Sequence, residues 1–304
     1  MSTSGKSQLT GAGLALLAVM IWSGNFIIAR AVIHDISPFS LAFYRWLCAA
    51  VFMLPFAAGK VYEERAIIIS SWKYLFWTAL SGITLFNTFV YIGGHYTTAI
   101  NLALIGTTSS PIIAIILARI FLKEEIGLLK FAGAALCITG VLFLLSRGDW
   151  RNLVNFHFGT GDKWVILGAT CFAAYNILTR KKPTGISANS FLAVIFCVGT
   201  ILLIPFYIWD VKHEPRVQWN ASLVYIILFL GIGSSVISYL LWNSAIERLG
   251  AGRTAIFGNL LIIFSSIEAT LILHEAFTWV HVVGMLLVFS GILLANWKMF
   301  SKVN

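Results

Sequence analysis

Residues 188–209 read ANSFLAVIFCVGTILLIPFYIW, 22 consecutive residues without a charge. A helix of about 20 apolar residues spans the hydrocarbon core of a bilayer. Backbone polar groups in lipid must be satisfied within the segment, which a helix achieves alone. The stretch also lacks the two-residue alternation of a membrane barrel strand. It is therefore a membrane-crossing helix, and runs like it fill most of the chain. Spans are predicted at 11–33, 39–59, 72–93, 98–122, 126–146, 164–181, 188–209, 221–244, 252–274 and 278–298. Ser37-Pro38 supplies a helix cap followed by proline at the first helical position. Asp210 to Trp219 reads as a charged loop. Composition agrees: 59% of the 304 residues are hydrophobic and 11% are charged, about half the charged fraction of a soluble domain.

The formal net charge is +9. The basic residues are scattered over short connections and form no face for nucleic acid, so they report orientation in the membrane. With the N-terminus inside, thirteen lysines and arginines fall on the cytoplasmic side and five, Arg147, Arg151, Lys163, Lys212 and Arg216, on the other. This places both termini in the cytoplasm, with the first apolar run as an uncleaved helix. Cys48, Cys137, Cys171 and Cys197 all lie in apolar spans as reduced packing residues. No Cys/His spacing suits a metal, and no phosphate-binding GxxxxGK[ST] run is present, so no cofactor is expected.

Adding about 150 to a residue number carries the first half onto the second. Ser37 meets Ser187, Arg30 meets Arg180, and Pro55-Phe56 meets Pro205-Phe206; after one residue of slip, Gly82 meets Gly233, Tyr91 meets Trp242, Glu124 meets Glu275, Gly133 meets Gly284 and Gly140 meets Gly291. The division is a first repeat at 1–147, a connecting loop at 148–163 and a second repeat at 164–304. Five spans per repeat, an odd number, invert the second copy. The fold expected is an all-α integral membrane protein of about ten transmembrane helices, arranged as two inverted five-helix repeats, a plan that recurs in secondary transporters.

Several residues carry a further likeness. They are Ile21-Trp22-Ser23-Gly24-Asn25-Phe26 in the first helix, Ser37-Pro38 and Arg45 in the second, Pro111 and Phe121-Leu122-Lys123-Glu124 in and after the fourth, and Gly133 and Gly140 in the fifth. The second half repeats Leu273-His274-Glu275, Gly284 and Gly291. In this order and doubling the chain resembles the EamA family of the drug/metabolite transporter superfamily. The resemblance implies a ten-helix protein of the bacterial inner membrane that exports small metabolites or drugs. Two positions depart from the symmetric pattern: Ile262 stands opposite Pro111, and Glu268 opposite Leu117.

A charge inside the bilayer costs about 2.5–3.5 kcal/mol on insertion scales. Arg119 lies at a helix end and snorkels, whereas Arg30, Arg45 and Glu268 share the outer half of the membrane. One reading pairs Glu268 with Arg45 or Arg30; the other makes it a carboxylate that couples transport to protons. Polar and aromatic residues near the midplane are the candidate cavity lining: Trp22, Asn25, Asn87, Tyr91, Thr108, Ser109, Tyr175, Asn176, Tyr239, Trp242, Asn243 and Asn259. Pro111 is expected to break helical hydrogen bonding beside them. Partners are a small-molecule substrate, the lipid bilayer and, as a candidate, protons; monomer and homodimer remain open. A membrane-embedded enzyme would need convergent acid, base or metal groups, and a channel a charge ring or filter; no such run is visible. A secondary transporter moving an amino acid or amphipathic metabolite by alternating access is the reading carried forward.

Overall fold

The computed structural model describes residues 3–121, 127–146, 148, 149, 151, 159–215, 217–249, 254, 257, 258 and 260–295. All regular structure among these residues is helical, with no strand among them. The long helices are α1 (Thr3–Ala31), α2 (Pro38–Glu63), α3 (Trp72–Gly94), α4 (Ala99–Phe121), α5 (Leu128–Leu145), α6 (Thr160–Arg180), α7 (Ala188–His213), α8 (residues 221–249), α9 (Leu261–Ile272) and α10 (Trp279–Ala295). A short helix, Arg65–Ser70, links α2 to α3. Five segments, Leu9–Ala31, Pro38–Glu63, Trp72–Gly94, Ala188–His213 and Ala221–Ala245, are long and apolar enough to cross a membrane; Phe131–Leu144, Leu261–Ile272 and Trp279–Gly291 are shorter apolar helices.

The outside of the bundle carries many large apolar side chains. Leu17, Val51, Phe56, Trp77, Ile201, Tyr225, Leu271 and Leu286 are all exposed, an arrangement that suits lipid and would aggregate in water. Inside, α2 packs on α7, α5 on α10, α1 on α8 and α9, and α6 on α3 and α4. The α5–α10 seam depends on glycine. A Cβ on Gly291 would lie 2.6 Å from the Gly133 carbonyl oxygen, and one on Gly140 would lie 2.9 Å from that of Gly284. Without side chains the two backbones come close enough for van der Waals attraction, which drives helix association in lipid.

Helix ends are tied by carboxylates from other helices. Ser37 caps α2, and its hydroxyl, with that of Ser40, donates to Asp210 Oδ2 near the end of α7. Ser187 caps α7, and its backbone N–H and hydroxyl donate to Glu64 Oε2 just past the end of α2, at 3.0 and 3.3 Å. The Ser187 N–H, more than any other contact, holds the Glu64 carboxyl below the usual carboxylate range. Glu275 accepts from the N–H groups of Ala99 and Ile100, at 2.7 and 3.1 Å, at the start of α4. Negative charge at a helix N-terminus meets unpaired N–H groups and the positive end of the dipole.

Asp210 is a correction to the sequence reading. It opens no loop: α7 continues to His213, and Asp210 is 2% exposed. Two serine hydroxyls compensate the burial of its charge, so the helix runs a turn further than the apolar run implies.

Candidate functional site

Two helices change pitch near the middle of the bundle. Leu80–Leu85 in α3 and Phe229–Ile237 in α8 are π-helical. The Phe86 N–H donates to the Ser81 carbonyl and the Ser238 N–H to the Gly233 carbonyl, each five residues back. Such turns shift side chains out of the regular helical register and are frequent at functional sites. Glycine permits the crowding here. A Cβ on Gly82 would lie 2.2 Å from Tyr175 Cδ2, and one on Gly231 would lie 2.6 Å from Cys48 Cβ.

Arg45, on α2, points between these segments and is 4% exposed. Its Nε donates to Ser235 Oγ at 3.0 Å. Nη1 donates to Asn87 Oδ1 at 2.9 Å, to Tyr91 Oη at 2.6 Å and to Asn25 Oδ1. Nη2 has only a long contact, 3.5 Å, to Ser234 Oγ. The Tyr91 hydroxyl donates in turn to Asn25 Oδ1 at 3.0 Å. Every partner is neutral. Among the described residues the only ion pair is Lys60–Glu63, at the surface. The expected pairing of Glu268 with Arg45 or Arg30 is therefore absent. Arg30 Nη1 donates to the Gly94 carbonyl at 3.0 Å, and Glu268 Oε1 lies 2.7 Å from Ser23 Oγ on α1. The three residues have separate partners: Gly94 for Arg30, Ser23 for Glu268, and Asn25, Asn87, Tyr91 and Ser235 for Arg45. His95 follows α3 close to Arg30; burial, then the charges of His34 and Arg30, push its imidazole below the ordinary histidine value.

An aromatic group adjoins Arg45. Trp22 Nε1 donates to the Ser234 carbonyl, inside the π segment, at 3.0 Å. The Trp22 ring lies 5.5 Å from Tyr239 and 5.2 Å from Trp242. Tyr175 from α6 faces Tyr239, and Phe196 lies between Tyr239 and Trp46, with ring centroids 6.4 and 5.0 Å away. A guanidinium beside rings and amides can hold an anionic group together with an apolar body.

Trp22, Asn25, Arg45, Asn87, Tyr91, Tyr175, Tyr239 and Trp242 thus converge as one cluster. Thr108, Ser109, Asn176 and Asn243 make no hydrogen bond to it; Thr108 Oγ1 is buried without a partner among the described residues. Asn259 lies outside the described residues. The backbone of α4 stays helical through position 111. Sequence reasoning missed Ser234 and Ser235, whose only signal was their place beside Gly231 and Gly233. It also missed Ser23, which sits between two singled-out neighbours. A separate cavity of about 230 Å³, lined by Ile263, Ser266, Ile267, Thr270, Leu271, Phe277 and Met285, lies along α9 and α10 away from this cluster.

The sequence profile of the EamA-like transporter family matches residues 9–146 and again residues 159–297. The chain belongs to that family. An uncharacterized transporter of Archaeoglobus fulgidus is 31% identical over 94% of this chain and 96% of its own length. The uncharacterized transporter YyaM of Bacillus subtilis is 29% identical over 93% and 92%. A probable amino-acid metabolite efflux pump of Escherichia coli is 22% identical over 96% and 97%. A solved crystal structure covers 97% of both chains with a TM-score of 0.62 and 17% identity, a likeness of fold. The protein is a membrane transporter, and family and relatives point to transport rather than to an enzyme.

Proposed function

We propose that this EamA-family member is a ten-helix carrier of the bacterial cytoplasmic membrane that exports a small metabolite, an amino acid or related amphipathic compound, by alternating access. In this reading residues 1–147 and 164–304 are inverted repeats joined by 148–163, and both termini are cytoplasmic. The twofold family match supports it. So does the pattern of helix contacts: adding or subtracting five exchanges α1–α8 with α6–α3 and α1–α9 with α6–α4, while α2–α7 and α5–α10 map onto themselves. Import of the same solute would need no different site, so the export direction rests on the family and on the printed name of the Escherichia coli relative.

The observation that carries the site is the uncompensated charge of Arg45. Arg45 sits on α2, and its hydrogen-bond partners come from α1 and α3 of the proposed first half and from α8 of the second. A buried cation with neutral partners leaves a field that an anion relieves, and Nη2 is the nitrogen least engaged. The solute's carboxylate binds there, and the rings of Trp22, Tyr239 and Trp242 cover its apolar part. The test is counterflow in proteoliposomes with a panel of radiolabelled amino acids and their methyl esters. A saturable flux of one carboxylate-bearing member is expected. Its ester and the Arg45→Gln variant should each lose about tenfold or more, the worth of one charge-assisted hydrogen bond. Equal flux of acid and ester, or full activity in Arg45→Gln, would refute the assignment.

A further inference from the structure

The hydrogen count at Glu268 is unusual. Ser23 Oγ lies 2.7 Å from the Met20 carbonyl oxygen and 2.7 Å from Glu268 Oε1. A carbonyl oxygen only accepts, and the serine has one proton, which a charged carboxylate and Met20 would have to share. A full hydrogen bond on each side of Ser23 needs a second proton, and of these three groups only the carboxyl can supply one. The other oxygen, Oε2, is buried without a partner among the described residues. For a carboxylate that would be a bare buried charge; for the carbonyl oxygen of a neutral acid it is a tolerable shortfall.

No neighbouring charge changes this count. On α1, Arg30 is engaged by the Gly94 carbonyl, and Lys6 lies at the far end of that helix. The only ionisable residue of α4 is Arg119, at the end opposite Ala99. On α10, His281 Nδ1 is bonded to the Thr278 N–H and hydroxyl. Between α9 and α10, Glu275 is taken up by the N–H groups of Ala99 and Ile100, and His274 stands exposed.

We propose that Glu268 is a proton-binding site of the carrier: a neutral acid in this conformation, donating to Ser23 Oγ, which donates onward to the Met20 carbonyl. Its coupling to solute rests on the carrier reading above. Ser23 follows Trp22 and precedes Asn25 on α1, so one helix contacts the acid on one face and the aromatic and Arg45 cluster on the other. Release breaks the Oε1–H bond, leaves the electron pair on the carboxylate and passes the proton to water. The carboxylate could still accept from Ser23, but its Oε2 would be buried and unpartnered among the described residues, so parting of α1 and α9 to admit water accompanies release. A movement of α1 that exposes Glu268 also displaces Trp22 and Asn25.

The test is infrared difference spectroscopy on the full-length protein in lipid, with no solute present. The wild type at neutral pH should show a protonated-carboxyl carbonyl band that is missing in Glu268→Gln and that disappears as pH is raised. In Ser23→Ala the band should persist and shift, because the acid has lost its acceptor. If the wild type minus Glu268→Gln spectrum shows only carboxylate bands at neutral pH, the neutral acid is overturned, whatever the fate of the carrier reading. Coupling is read separately, by counterflow of the same amino-acid panel across a pH series. Glu268→Gln should retain solute exchange and lose its pH dependence, and an unchanged pH profile overturns the coupling.

Discussion

Arg45 Nη1 carries two hydrogens and faces three acceptors: Asn25 Oδ1, Asn87 Oδ1 and Tyr91 Oη. This surplus makes a quantitative prediction. Tyr91→Phe removes one acceptor and leaves the ring in place, and both hydrogens keep a partner. The expected cost is about 1 kcal/mol, the net worth of an ordinary hydrogen bond. Asn87→Ala costs a similar amount plus its small cavity. In the double variant one N–H of a buried guanidinium faces nothing. That orphan adds about 1–3 kcal/mol beyond the sum of the singles, whereas independent sites add to within about 0.5 kcal/mol. The cavity term cancels in the cycle. Unfolding by denaturing detergent in mixed micelles, for the wild type and the three variants, gives the coupling directly. Additivity within about 0.5 kcal/mol would mean that water replaces the lost acceptors, and the view of Arg45 as a dry, closely counted charge would fail.

Two further outcomes are expected. Ser187 holds the Glu64 carboxyl below its ordinary value, so Glu64 contributes stability that is present above the usual carboxylate range and is lost as pH falls through its lowered folded-state value; the Tm difference between the wild type and Glu64→Gln should shrink on acidification, and a difference that grows in acid would refute the linkage. Gly94→Ala should abolish folded protein, because its Cβ would lie 2.2 Å from the Ala29 carbonyl oxygen, while Gly59→Ala, with nothing within 4 Å, should be neutral or stabilising by about 0.5–1 kcal/mol, as read by yield and Tm.

Much of the fold is legible because lipid leaves the chain few choices. Residues 39–59 and 188–209 announce helices by length and apolarity alone, and Ser37 and Ser187 mark where they begin. The far ends are less legible. Asp210 resembles the entry of a chain into water, because its two compensating serines sit some 170 residues away in sequence. The site shows the same limit. Buried polar residues can be singled out one by one, since each costs free energy in lipid. Which of them meet depends on helix rotation. Asn25, Asn87 and Tyr91 turn toward Arg45, whereas Asn176 and Asn243 do not join it, and no residue type separates the two groups. The π turns change rotation within a helix, and only Gly82, Gly231 and Gly233 hint at them. Depth alone pairs Glu268 with Arg30 or Arg45, but its partner is Ser23, the residue next to Trp22.

The pair α2 and α7 is fastened at both ends in a single conformation: Asp210 holds the start of α2, and Glu64 holds the start of α7. Between the fasteners Phe43 stacks on Tyr207 at 4.3 Å, and the hydroxyls of Tyr44 and Tyr207 lie 2.7 Å apart. Sliding one helix along the other would pull both fasteners apart at once, whereas turning the bundle about the pair strains neither. The two helices form a spindle, and Arg45 is mounted on it. In the proposed carrier, a solute held at Arg45 would stay at nearly constant depth while the surrounding helices swing past.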